Sequence, residues 1–361
     1  MAGSGFAANT ALGLAEAGHA TLFVTGRSDP SDDAAALAEY GLAPHPRLEL
    51  RRVAYLAGRL RFPVYAALVR EVLRLAREKR LRAVLGRNPK ALSLVGRFRR
   101  RLGGVPLVFE MHGRPPEAIE DAGKRRRAAR RRARERRLLD WIDGVVIVAE
   151  PQRGMLPDRL ARGSRVLVAP AGFRDSAEPA PERVSGRVVY LGQLHEHKGI
   201  EVLIDAAAAL PPGASVEIVG GDDRVEDLRH RASRAGGRVT LTGALPQREA
   251  LARLRAAEVA VAPYLDLPYN LYLTPTKIYE YMASGAAVVA SDVPCVRGLL
   301  RDGDNALLVR PGRPVELATA IARLARDPAL RARLSARARE DLAGRSWRER
   351  GRAIAEFVDS L

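Results

Sequence analysis

Lys277 and Glu280 stand three residues apart in TPTKIYEYMASG (residues 274–285), and Lys198 precedes Gly199 in LGQLHEHKGI (191–200). In the first stretch Thr274 is a good N-cap and Pro275 fits position N1, so the spacing predicts a helix with a defined start and free backbone N–H groups. Those groups and the helix dipole favour an anion such as phosphate. Lys277 falls in the first turn, where a cation is unfavourable unless an anion sits there. Glu280, a turn later, can accept hydrogen bonds from ligand hydroxyls. Residue chemistry alone leaves a plain alternative open, a capped surface helix carrying a Lys–Glu pair. Lys198, at the carboxyl end of a strand, could neutralise a diphosphate. Gly220 and Gly221, in VEIVGGDD, end another strand and allow a backbone to approach a ligand closely.

The elements around these residues alternate between short apolar runs and amphipathic stretches. ATLFVTG, RLELRRV, RAVLG, VPLVFEMHG, GVVIVAE and RVLVAP read as strands in the first half. GRVVYLG, SVEIVGG, RVTLTG, EVAVAPY, AAVVAS and NALLV read as strands in the second. In FPVYAALVREVLRLAREKR the apolar residues recur at helical spacing. Strand–helix–strand alternation predicts α/β domains with parallel sheets covered on both faces. Residues 173–186, rich in Pro, Ser and charge, read as a linker. The expected organisation is a first domain over 1–172, a second over 187–345 and a terminal helix over 346–361. Two doubly wound domains would face each other across a cleft. Gly3, Ser4 and Gly5 read as a glycine turn ahead of a helix, with no strand before them. That absence points to a start upstream of Met1, or to a fragment.

The order strand–GxLxxxKG–helix, then EIVGG, then VTLTGALPQREALARLRAAEVAVAPY, then TPTKIYEYMASGAAVVASD resembles the retaining glycosyltransferases of family four, which have the GT-B fold. The resemblance covers essentially the whole second half, in order and at the usual spacing. It implies that the second domain binds a nucleotide sugar, with Lys198 on the diphosphate and Glu280 on the ribose hydroxyls. Thr276, Lys277, Gly192, Gln193, Gly220 and Gly221 would line the donor site. Two positions depart from the family's pattern. Gln193 stands where an arginine is usual. Tyr272 stands eight before Glu280, where the family has a glutamate contacting the transferred sugar. In the looser first half, His112 ends the strand in LVFEMHG, and the resemblance sets it beside the donor sugar as a catalytic group with Lys198 and Glu280. Gly3–Gly5, with Arg87 and Asn88 in VLGRNPKA, are acceptor-side candidates. The terminal helix is expected to return to the first domain.

The implied activity is transfer of a sugar, with retention, from a nucleotide sugar to a hydroxyl of a glycan or lipid-linked acceptor, in cell-envelope or exported polysaccharide synthesis. Two alternatives stay open: a nucleotide-sugar epimerase or hydrolase of the same fold, and a basic nucleic-acid-binding protein on an inactive transferase fold. No cofactor or metal is expected. His195, Glu196 and His197 form a poor metal site, being adjacent loop positions with no further ligand cluster.

At 361 residues the chain fits two domains, and its 47% apolar content allows large cores. One cysteine, Cys295, excludes an internal disulfide and suits a reducing compartment. No secretory signal or membrane-spanning run is evident, which predicts a cytoplasmic protein, peripheral on a membrane at most. The net charge of +18 is uneven, with +16 in residues 1–175 and +2 in the rest. Ten of the fourteen residues from Lys124 to Arg137 are basic. That run could dock on anionic lipid headgroups, or it could be a solvated arginine-rich helix. Without interleaved aromatic residues it does not favour nucleic acid.

Overall fold

A computed structural model of the chain describes residues 2–27, 33–38, 41–54, 62–112, 122–161, 165–174, 181–267, 270 and 275–361. The chain divides into two compact units: unit 1 holds residues 1–171, 272–274 and 347–361, and unit 2 holds 172–271 and 275–346.

Unit 1 comprises α1 (Ala2–Glu16), β1 (Thr21–Arg27), α2 (Asp33–Ala38), β2 (Leu48–Ala54), α3 (Phe62–Arg77), β3 (Val84–Gly86), α4 (Pro89–Gly96), β4 (Leu107–Met111), α5 (Ala122–Leu139), β5 (Gly144–Ile147), α6 (Asp158–Ala161) and β6 (Val166–Val168). Unit 2 follows with β7 (Val184–Leu191), α7 (Ile200–Ala207), β8 (Ser215–Val219), α8 (Val225–Ala232), β9 (Val239–Gly243), α9 (Gln247–Arg255), β10 (Ala257–Ala262), α10 (Thr276–Ser284), β11 (Ala287–Ser291), α11 (Pro294–Arg297), β12 (Leu307–Val309), α12 (Pro314–Arg326) and α13 (Pro328–Glu340). The last helix, α14 (Trp347–Asp359), belongs to unit 1.

Both units are α/β with parallel strands. In unit 1, β3–β6 form a four-stranded sheet in sequence order, and β1 pairs with β2 in a separate sheet. Among the described residues no strand joins the two sheets. The apolar runs form buried strands because both faces are covered. Leu107, Phe109, Met111, Val145 and Ile147 face Leu92, Val95, Leu138 and Ile142, from α4, α5 and the turn after it. Val108 and Val146, pointing the other way, meet Ile354 and Phe357 of α14. The helix α14 also lies hard against α1: a Cβ on Gly13 would fall 2.1 Å from the Trp347 carbonyl oxygen.

Gly3–Gly5 do not form a turn. They lie in the first turns of α1, and the Asn9 carboxamide donates to the Gly5 carbonyl at 2.9 Å. Burial of Phe6, Ala8, Leu12 and Ala15 along the same helix overrides the poor helix propensity of its start. The linker expectation also shifts, because Val184 and Ser185 already belong to β7.

Unit 2 carries one six-stranded parallel sheet of order β12-β11-β10-β7-β8-β9. The chain lays down β7, β8 and β9 outward, returns to place β10 beside β7, and continues through β11 to β12. The order therefore reverses between β10 and β7, with Val259 opposite Val188. In open parallel sheets the crevice for a ligand forms beyond the carboxyl ends of the strands at such a reversal.

Candidate active site

The carboxyl ends of β7 and β8 turn on glycine because backbone there meets backbone. Gly192 (φ +141°) follows β7 and donates its N–H to the Val219 carbonyl at 2.9 Å. Gly220 (φ +152°) follows β8, and a Cβ on it would sit 1.8 Å from the Gly192 carbonyl oxygen. Gly221 is similarly confined, its ideal Cβ lying 2.9 Å from the Ala244 nitrogen. Gln193 is exposed, and its carbonyl accepts from the Tyr190 hydroxyl at 2.5 Å. Asp222 holds the same loop, accepting from the Leu194 N–H at 3.0 Å.

Lys277 enters this glycine-lined edge from α10. The helix starts later than the sequence predicts. Pro275, with ψ of 82°, is the cap rather than the first helical residue, and no side chain caps the end. Thr274 and Tyr272 lie outside the described residues. Thr276 is exposed at the tip, whereas Lys277, only 7% exposed, turns inward. Its ammonium lies 3.8 Å from the centre of the Tyr190 ring and 5.6 Å from that of Tyr264. A Cβ on Gly192 would come within 2.9 Å of it. Among the described residues the ammonium has no hydrogen-bond partner. Burial holds its pKa well below that of a free lysine, and the neighbouring Lys198 charge lowers it further.

Lys198 closes a 3-10 turn (Glu196–Lys198) that passes through Gly199 (φ +67°) into α7. Gly199 must be glycine, since a Cβ would fall 1.9 Å from the Pro263 carbonyl oxygen. This contact sets Lys198 over the residues that follow β10, with its ammonium 4.9 Å from the Tyr264 ring centre. Burial brings the Lys198 pKa down to about 8. Burial also raises Glu280 to about 7, against the pull of Lys277. His197 falls to about 3, first through burial and then through the Lys198 charge. Cys295 rises to about 11 through burial. Asn270 pins the segment after β10, donating to the Leu265 carbonyl at 2.6 Å and the His197 carbonyl at 3.3 Å. The structure thus gathers Gly192, Lys198, Gly220, Lys277 and Glu280 on one edge of unit 2, around two tyrosines, Tyr190 and Tyr264.

In unit 1, His112 follows β4 at its carboxyl end. Its Nε2 lies 2.6 Å from Oε1 of Glu110, a carboxylate 1% exposed. Burial lowers the His112 pKa, outweighing the Glu110 hydrogen bond. The neutral ring therefore keeps its proton on Nε2 to make this bond, leaving Nδ1 as an acceptor. The Phe6 ring meets His112 edge to face at 4.6 Å. Glu110 also faces Arg350 of α14 at 3.5 Å and Arg87 at 3.7 Å. Although burial opposes ionisation, Arg350 and the other positive neighbours hold its pKa below the usual carboxylate value. Arg350 in turn donates to the Thr10 hydroxyl at 2.8 Å and the Pro170 carbonyl at 2.8 Å. Asn88 is a helix cap, its side-chain oxygen accepting from the Lys90 and Ala91 N–H groups at 2.9 and 3.2 Å. Of the first-half candidates, His112 and Arg87 share the Glu110 network, whereas Asn88 is occupied by α4.

Sequence reasoning missed Tyr190, Tyr264, Glu110 and Arg350. The tyrosines sit within or just after apolar runs and read as core. Glu110 did leave a signal, a carboxylate inside the otherwise apolar LVFEM. No group of three or more His, Cys, Asp or Glu that could hold a metal lies among the described residues. His195 is instead 3.3 Å from Asp222.

Known proteins match along most of the chain. The glycosyltransferase family 4 model matches residues 5–176, and the glycosyl transferases group 1 model matches residues 185–327. The phosphatidyl-myo-inositol mannosyltransferase of Mycobacterium leprae is 32% identical over 198 residues, which is 52% of this chain and 51% of that protein. The D-inositol 3-phosphate glycosyltransferase of Nocardia farcinica is 28% identical over 290 residues, covering 73% of this chain and 63% of that protein. The chain spans about half the length of the first curated relatives it matches. Among solved structures, HepE of Anabaena in complex with UDP and glucose matches with a TM-score of 0.72 at 21% identity, over 98% of this chain and 96% of that one. Sucrose-phosphate synthase of Thermosynechococcus elongatus matches with a TM-score of 0.72 at 22% identity, over 97% and 91%. These likenesses establish the fold.

Proposed function

We infer that this chain, which belongs to the family-four glycosyltransferases of the GT-B fold, transfers a sugar from a nucleotide-sugar donor to a hydroxyl acceptor with retention of configuration. The observation that carries the reading is the Lys277 ammonium, buried and without a partner, beside Lys198 at the switch-point edge of unit 2. A buried cation lacking a counter-ion costs stability. A diphosphate at that edge would supply the counter-charge to both lysines, and the bare backbone at Gly192 and Gly220 would let it approach.

The chemistry follows from charge. As the bond to the transferred sugar breaks, negative charge builds on the leaving diphosphate. Cations already fixed in a desolvated site stabilise that charge without reorganising, which lowers the barrier. Lys198 and Lys277 then do the work a metal would do elsewhere, so the proposed reaction runs without one. Glu280, near neutrality in pKa, is suited to accept hydrogen bonds from the ribose hydroxyls. His112, at the carboxyl end of β4, leaves Nδ1 as an acceptor for a substrate hydroxyl. The departing phosphate oxygen takes the acceptor's proton. HepE, in complex with UDP and glucose, favours a uridine donor. The phosphatidyl-myo-inositol mannosyltransferase relative favours a glycolipid acceptor. Among the described residues no helix is long and apolar enough to cross a membrane.

The test is a panel of UDP-, GDP- and ADP-sugars screened by thermal shift. A donor at 100 times its dissociation constant should add about 2.7 kcal/mol of stability. The donor found should then label an acceptor hydroxyl, with the anomeric configuration kept in the product. Lys198→Ala and Glu280→Ala should each sharply reduce transfer. Wild-type turnover in both variants, or donor consumption that never needs an acceptor, would reject the reading.

A further inference from the structure

We propose that unit 1 carries a second anion site, for ligands bearing several phosphoryl groups, at the edge of its sheet opposite the one that presents His112. The site is a hollow of about 890 Å³ formed by the end of α4, the end of α5 and the turns that lead into β5 and β6. Those turns enter their strands at the amino ends. His112 follows β4 at the carboxyl end, so the hollow is not part of the sugar-transfer machinery. It stands independently of the activity proposed above.

The walls are cationic beyond what their neighbours neutralise. Arg97, Arg134, Arg137 and Arg165 all line the hollow, and none has an ion pair among the described residues. Two further arginines are already engaged. Arg99 pairs with Asp143, which also accepts from the Leu107 N–H at 2.8 Å. Arg159 donates to the Leu139 carbonyl at the end of α5, covering the negative pole that would otherwise repel an anion. The remaining four guanidiniums come from three separate segments that converge on one space. Guanidinium forks bind phosphoryl oxygens in pairs. Trp141 supplies part of the wall. Its ring lies so close to α4 that a Cβ on Gly96 would fall 2.2 Å from it. A rigid aromatic face among free arginines suits a compact polyanion with a ring or ester to lay against the indole. The arginine-rich run, which composition alone leaves as either a lipid-docking or a solvated helix, thereby contributes Arg134 and Arg137 to a defined site.

Tripolyphosphate is the probe. The chain has two tryptophans, so Trp347→Phe leaves Trp141 as the reporter. Titration should change its emission saturably, and Arg134→Ala/Arg137→Ala should weaken the dissociation constant at least tenfold while leaving sugar transfer unchanged. Calorimetry in the Lys198→Ala/Lys277→Met chain reads the same site without relying on the fluorescence variant. Two arms separate the ligand's source. Displacement of tripolyphosphate by vesicles containing phosphatidylinositol phosphate would identify a lipid headgroup. Binding that vesicles leave untouched would identify a free oligophosphate. No saturable binding of either probe, or equal binding after Arg134 and Arg137 are removed, would overturn the proposal.

Discussion

Raising the pH from about 7 to about 9 should weaken donor binding about tenfold, through the titration of Lys198. Burial places this lysine's pKa at about 8. Roughly nine in ten ammoniums are charged at the lower pH and roughly one in ten at the higher. Only the charged form attracts a diphosphate, so affinity is flat below the window and falls through it. A tenfold loss corresponds to about 1.4 kcal/mol. The empty protein moves the other way. Its folded state holds fewer protons than the unfolded chain between pH 8 and the free-lysine value, so this group adds stability as the pH rises. Calorimetric titration of the donor nucleotide across the window measures the first effect, and thermal denaturation without ligand measures the second. Lys198→Arg is the control. Its guanidinium stays charged throughout, so any remaining slope belongs to the ligand or to the other titrating groups of the site, Glu280 and Lys277. A wild-type dissociation constant that does not change across the window, or one that changes equally in Lys198→Arg, would refute the reasoning.

Three further outcomes are expected. Lys277→Met, which keeps the length of the side chain but removes an unpaired buried ammonium, should raise unfolding free energy by about 1–3 kcal/mol while donor binding is lost; chemical denaturation and the donor panel read the two effects. Gly220→Ala should lower stability by at least about 1–3 kcal/mol, because its φ of +152° is poorly populated by other residues and its Cβ would collide with the Gly192 carbonyl oxygen; an unchanged melting temperature would show that the two turns can move apart. Glu110→Gln should cost about 3–5 kcal/mol in urea denaturation, since it removes a buried carboxylate charge 3.5 Å from the Arg350 guanidinium.

The strands were legible because both faces of each sheet are covered, so VVIVA or AVVAS reads as a continuous apolar run. Lys277 stood out because a cation in the first turn of a helix is out of place without an anion, whereas Lys198 entered the candidate site through the family resemblance. What the sequence concealed was direction. Lys277 was expected in the first turn of its helix, near the phosphates, but no pattern showed that α10 starts after Pro275 and turns the side chain under Tyr190. No periodicity marks Tyr190 or Tyr264 as site residues, because they look like their apolar neighbours. Asn88 carries the same residue type whether it caps a helix or meets a ligand, and only the Lys90 and Ala91 N–H groups decide. The Arg350–Thr10 bond joins residues 340 positions apart, a separation no local pattern can reveal. Gly3–Gly5 misled because glycine suggests a turn, whereas the packing of α1 on α14 makes it helical.

The return of α14 to unit 1 bears on how the protein is made. Phe357 and Leu361 press on the strand start at Gly144, where a Cβ would lie 2.7 Å from the Leu361 side chain. Part of one face of the β4–β5 sheet stays uncovered until that helix has been synthesised. A ribosome translating this message therefore completes the last element of unit 2 before it makes the helix that lines part of the older half. Chaperones that shield bare sheet surface would have their longest engagement with the part of the polypeptide that emerged first.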